Sequence, residues 1–301
     1  RGDKWTAFLR SACRNYKLHF EEQVLVHAQR PDATAVLEME HWNRRFDRWV
    51  DPGSTGIAVF DRDTPGRARL KYYFDISDTH EGRFHRPVPL WQVYAEQEPE
   101  IVEALEHRFG ALPRKETLGD AIVSAMENAV TDNMADYLAD LQQSRDGSFL
   151  EELDNNSIAR WFKDAVSESV RYMVLHRCGY APELDSDVSG CILDFNTEIT
   201  ASILGSAAST LSQSVLREIG VTVKSLERQQ SRTFDSFGDT VYNEARKNDE
   251  RSQNNGTDLQ NAGRLPSTQP DSPGESQGGQ VRDAAPQLPP QAPGGAVHRD
   301  A

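Results

Sequence analysis

The segment F-E-E-Q-V-L-V-H-A-Q-R-P-D-A-T-A-V (20–36), followed at 41–60 by H-W-N-R-R-F-D-R-W-V-D-P-G-S-T-G-I-A-V-F, decides the fold. Phe20, Val24 and Ala28 lie four apart, which predicts a helix over 20–29 that Pro31 stops. Leu37 to Asn43 reads as a short third helix carrying Trp42. Arg48-Trp49-Val50 is then extended, Asp51-Pro52-Gly53 turns, and Ile57 to Phe60 is a strand. Asp63 to Gly66 predicts the next turn, and Leu70 to Ile76 has the aromatic and β-branched content of a partner strand.

Working outward, Trp5, Phe8, Leu9 and Cys13 recur at helical spacing, so a helix is expected over 4–15. Beyond the break at Pro87 to Pro89 the pattern turns helical. Ile101, Ala104, Leu105 and Phe109 mark one helix, ended by Gly110 and Pro113. Segments 118–130, 133–141, 149–153 and 158–176 predict further helices, and Ile192 to Phe195 is ambiguous. Leu211, Val215, Ile219 and Val223 lie four apart and predict a last helix, whose continuity Gly220 weakens. The expected fold is therefore α+β: N-terminal helices packed on a small antiparallel sheet (1–95), an acidic all-helical region (96–228) and a tail (229–301). The tail is rich in Ser, Gln, Asn, Gly and Pro. Such a composition buries too little apolar area to offset backbone ordering, so a disordered linker is expected there.

Of the 301 residues, 33 are Lys or Arg and 47 are Asp or Glu, for a net charge of -14. The imbalance is local: residues 1–95 carry a net +2, residues 96–200 a net -14 and the remainder -2. An acidic chain opposes broad affinity for a phosphate backbone, so any nucleic-acid contact is expected within 1–95. Cys13, Cys178 and Cys191 form no CxxC pair, which points to neither a zinc ribbon nor a disulfide scaffold. No apolar run approaches the roughly 20 residues that cross a bilayer, and no signal peptide is visible, so a cytoplasmic setting is expected. Opening inside an amphipathic segment and closing in low complexity, the chain reads as a fragment of something longer.

The sequence holds no phosphate-binding Gly-rich loop, no G-x-G-x-x-G, no H-E-x-x-H and no G-x-S-x-G, so neither a cofactor nor a catalytic residue is expected. Asp75, Asp78, His80 and His85 form the one suggestive metal group, but Ser77-Asp78-Thr79 fits better as a turn that caps its own backbone, and no metal is assigned. The basic cluster is more informative. Arg44, Arg45 and Arg48 stand among Trp42, Phe46 and Trp49, a mixture of phosphate-neutralising cations and stacking rings. Arg30 and Lys71, with Arg69, extend the same expected face. Trp42 is expected to be structural, and Gly53 and Gly56 to serve backbone geometry.

These residues also carry a likeness. Y-K-L-H-F-E-E-Q-V-L-V-H-A-Q-R-P-D-A-T-A (16–35) and W-V-D-P-G-S-T-G-I-A-V-F (49–60), continuing through Y-Y-F-D-I-S-D-T-H (72–80), resemble the N-terminal domain of ArdC-like antirestriction and LtrC-like plasmid proteins. The whole chain is similar to the N-terminal region of large conjugative-element proteins that fuse a helicase to an adenine-specific DNA methylase, and G-T-D-L-Q-N-A-G-R-L-P (256–266) fits their linker. The resemblance implies noncatalytic, single-stranded DNA binding by 1–95, with helicase and methylase domains downstream as partners in the full-length chain. Where that family usually carries Asn-Arg-Gly this chain has Asp51-Pro52-Gly53, which removes one basic residue. Two other readings stand beside it: a protein-interaction module using the acidic helices, and a hydrolytic or metal-dependent enzyme built from scattered carboxylates.

Overall fold

The computed structural model describes residues 2–61 and 69–258. The turn expected at 63–66 lies outside them, as does 259–301 of the expected linker. The fold is α+β, with N-terminal helices packed on a small open sheet and a later all-helical region. Helices α1 (Gly2–Ala12) and α2 (Phe20–Gln29) precede β1 (Val36–Glu38), α3 (Met39–Phe46), β2 (Arg48–Val50), β3 (Ile57–Asp61), β4 (Arg69–Asp75) and β5 (Thr79–Glu81). The strands make two antiparallel sheets, β1-β4-β3 and β2-β5.

Residues 37–38 belong to a strand, not to the expected third helix. Val36, Leu37 and Glu38 pair with Asp75, Phe74 and Tyr73, and only from Met39 does the chain turn helical. Sheet pairing overrides local propensity here. Alternation along the sheet separates its two faces. Val36, Ile57, Val59 and Tyr73 are buried with Val26 and Ala33, so α2 covers one face. Phe60, Leu70 and Tyr72 stay about half exposed on the other.

The helical region comprises α4 (Glu98–Phe109), α5 (Leu118–Gln143), α6 (Asn155–Arg177), α7 (Ser186–Ile192) and α8 (Glu198–Asp258). The helices expected at 118–130 and 133–141 are one: Thr131, Asp132 and Asn133 interrupt the apolar pattern only on the exposed side of α5. The helix expected at 149–153 is instead a run of turns ahead of α6. Leu211, Val215, Ile219 and Val223 all enter the main core, as their spacing predicts.

The described residues up to Asp239 form one compact unit. Within it, the N-terminal helices are bound to the later ones. Trp5 Nε1 donates to Ser169 Oγ of α6 at 3.0 Å, and Phe8, Leu9 and Cys13 pack with Tyr172 and Met173. Two glycines of α8 permit close approach: a Cβ on Gly205 would fall 2.0 Å from the Phe20 ring, and one on Gly220 would fall 2.7 Å from Trp91 Nε1. Gly220 therefore seats Trp91 and does not break the helix.

Candidate functional site

The cations expected to share one face answer to different neighbours. Arg48 turns inward, its side chain 12% exposed, and donates to Thr79 Oγ1 at 2.8 Å, to the Thr79 carbonyl at 2.9 Å and to Glu81 at 2.8 Å. It rivets β2 to β5. Arg44 is 78% exposed and pairs with Glu40 one helical turn back. Arg30 bridges to Asp78 and Ser77, which ties the end of α2 to the turn after β4. Lys71 meets Glu22 at 3.4 Å beneath the sheet, where Glu22 also accepts from the Tyr73 hydroxyl at 2.9 Å. Burial works against the Lys71 charge, but Tyr73 and Glu22 outweigh it and hold its pKa above the ordinary lysine value.

The aromatic residues divide likewise. Trp42 is fully buried and donates to the Phe74 carbonyl at 2.8 Å, a core role. Trp49 is half exposed, its indole nitrogen 3.3 Å from an Asp47 carboxylate oxygen. Asp47 itself occupies the left-handed region (φ 48°) at the end of α3 and also accepts from the Phe84 amide. Gly53 turns with φ of 90°, and Gly56 lets Tyr72 and Phe74 approach, since a Cβ there would meet Tyr72 Cβ at 3.0 Å. The residues of the suggestive metal group are occupied elsewhere. Burial raises the Asp75 pKa, but the Ser77 hydroxyl and the Ala35, Ser77 and Thr34 amides all donate to its carboxylate and together lower it. Asp78 is engaged by Arg30 and His80 by Asp51. Among the described residues no group of three or more His, Cys, Asp or Glu side chains is placed to hold a metal ion.

Arg45 behaves differently. It lines a cleft of about 220 Å³ between the α1–α2 connection, the segment 34–37, the last turn of α3 and the segment 88–91. Arg14, Lys17 and Arg177 are the other cations of its wall, and no carboxylate lines it. Arg14 donates to the Pro31 and Ala33 carbonyls at 2.5 and 3.0 Å. Arg177 lies 3.9 Å over the centre of the Trp91 ring and donates to the Trp91 carbonyl at 3.0 Å. Neutral partners thus hold both guanidiniums in place while leaving their charge unbalanced. Among the described residues none of these four cations pairs with an acid.

The surroundings register that excess. Desolvation, with Lys224 and Arg177 close by, pulls the Lys17 pKa below its ordinary value. Burial and the fields of Arg10 and Arg14 lower that of His176, which adjoins the cleft with Cys13. Cys13 is no nucleophile: burial pushes its thiol up to about 11. Four cations thus gather in the cleft, and no carboxylate stands among its lining residues. Of its cations the sequence reading named Arg45 alone. Arg14, Lys17 and Arg177 come from segments that only the fold brings together.

No family model, no curated protein and no solved structure matches this chain.

Proposed function

We propose that this chain is a noncatalytic module that binds single-stranded DNA, and that it grips the strand in the cleft of Arg14, Lys17, Arg45 and Arg177. The observation that carries this reading is a wall of four cations with no carboxylate in a chain of net charge -14. Four cations gathered around one hollow repel one another, a cost that a bound anion removes. Its size favours a single strand, because a cleft of about 220 Å³ is on the scale of one nucleotide and excludes a duplex. Carbonyl-anchored guanidiniums suit phosphate oxygens, and the apolar rim of Val88, Pro89 and Leu90 offers sugar and base a dry surface. The setting, a DNA-processing protein of a mobile element with helicase and methylase domains elsewhere, rests on the resemblance of 16–80 and 256–266 alone.

The test is competition on the full chain. Labelled oligothymidylate is bound at low salt and challenged with the unlabelled strand, a duplex, inorganic phosphate or polyglutamate. The strand should displace the label far more effectively than the duplex or phosphate, and polyglutamate should not compete. Polyglutamate competing as well as the strand would replace this reading with an acidic protein partner.

A further inference from the structure

Resting on the single-strand reading above, we infer that the binding track has two parts: a strand held in the cleft continues over Lys17 into a second groove on α8, where Arg217 and Lys224 take the next phosphates. This groove has a volume of about 350 Å³ and, like the cleft, is lined by no carboxylate. Tyr16 and Lys17 line both, so the two hollows meet on one loop. The loop's position is fixed. Tyr16 is buried, its hydroxyl accepts from Trp91 Nε1 at 3.2 Å, and Trp91 rests against the bare backbone of Gly220 between Arg217 and Lys224. The tryptophan that carries Arg177 on its face is thus seated on the helix that carries the second pair of cations.

The electrostatics of the join agree with an anion bridging it. Arg177 belongs to the cleft and Lys224 to the groove, and both act on the Lys17 ammonium to favour its neutral form. Among the described residues neither Arg217 nor Lys224 pairs with an acid. A phosphate seated above Lys17 would turn that mutual repulsion into attraction on both sides. Gln213 adds a hydrogen-bonding side chain, and Val221, 59% exposed, offers apolar surface to a sugar or base.

Two lengths of labelled oligothymidylate, about 4 and about 12 nucleotides, separate the cleft from the longer track. With the full chain, the longer strand should bind more tightly. In R217Q/K224Q it should lose several-fold in affinity, and its salt dependence should flatten by about 1.4 in log-log slope for two lost phosphate contacts. The shorter strand should be unaffected. R217Q alone should give half the change in slope, and urea midpoints matching the original protein establish that both variants fold. Wild-type binding of the longer strand by R217Q/K224Q would overturn the track while leaving the cleft in place, and equal losses on both lengths would contradict a sequential path. Failure of the unmodified chain to bind either strand would remove both proposals.

Discussion

Arg45 and Arg48 stand three residues apart, yet the corner that holds one and the cleft that holds the other use charge in opposite ways. At the β2–β5 corner each guanidinium nitrogen of Arg48 finds an oxygen, two from Thr79 and one from Glu81. In the cleft, Arg45 lies among Arg14, Lys17 and Arg177, and the available anchors are backbone carbonyls. The first arrangement balances its charge within the fold; the second leaves it unbalanced. An arginine beside a tryptophan in sequence therefore says little about binding until its carboxylates are located.

That contrast can be broken at several strengths. The largest effect should come from the pair beneath the sheet. Glu22→Gln removes the buried carboxylate that Lys71 and the Tyr73 hydroxyl share and should cost about 2–4 kcal/mol in urea unfolding, with DNA affinity per folded molecule unchanged. A smaller loss is expected at the corner. Arg48→Gln should lower stability by about 1–2 kcal/mol without altering strand affinity, read from unfolding and anisotropy on the same samples. If Arg48→Gln instead abolished binding in a folded protein, the division between the two regions would fail.

Acid provides a gentler perturbation. Burial together with Arg14 lowers the His27 pKa, and burial together with Arg10 and Arg14 lowers that of His176, each from 6.5. The folded state therefore takes up these protons less readily than the unfolded chain. Stability is full above pH 6.5 and declines as pH falls through the lowered folded values. The melting temperature should drop as the pH is lowered from 6.5 toward the range where carboxylates titrate. Bound oligothymidylate should lessen that drop, because a phosphate in the cleft offsets the field of Arg14. A melting temperature flat over this interval would contradict the cationic environment assigned to both histidines.

Much of the fold is legible in the sequence and little of the site is. The stripe Leu211–Val215–Ile219–Val223 and the alternation in β3 and β4 report directly on burial, because a single element sets each period. Val36–Glu38 was hidden, since three residues carry no period and owe their strand to Tyr73–Asp75. Thr131-Asp132-Asn133 misleads because a long helix can expose three polar residues without ending. Arg45 could be noticed for its neighbours in sequence. Arg14 in the α1–α2 connection, Arg177 at the end of α6 and Arg217 within α8 carry no local mark that sets them apart from ordinary surface cations. What distinguishes them is missing acid in three dimensions, and no sequence window contains that.

The most direct test sets two adjacent residues of α3 against each other. Oligothymidylate binding is titrated with salt for Arg45→Gln and for Arg44→Gln, each an exposed position whose loss should move stability by no more than about 0.5 kcal/mol. Arg45→Gln should weaken binding and flatten the log-log salt slope by about 0.7, one phosphate contact, while Arg44→Gln, already matched by Glu40, should leave both unchanged. Equal effects from the two, or an effect from Arg44→Gln alone, would contradict the claim that unpaired cations in the cleft hold the strand.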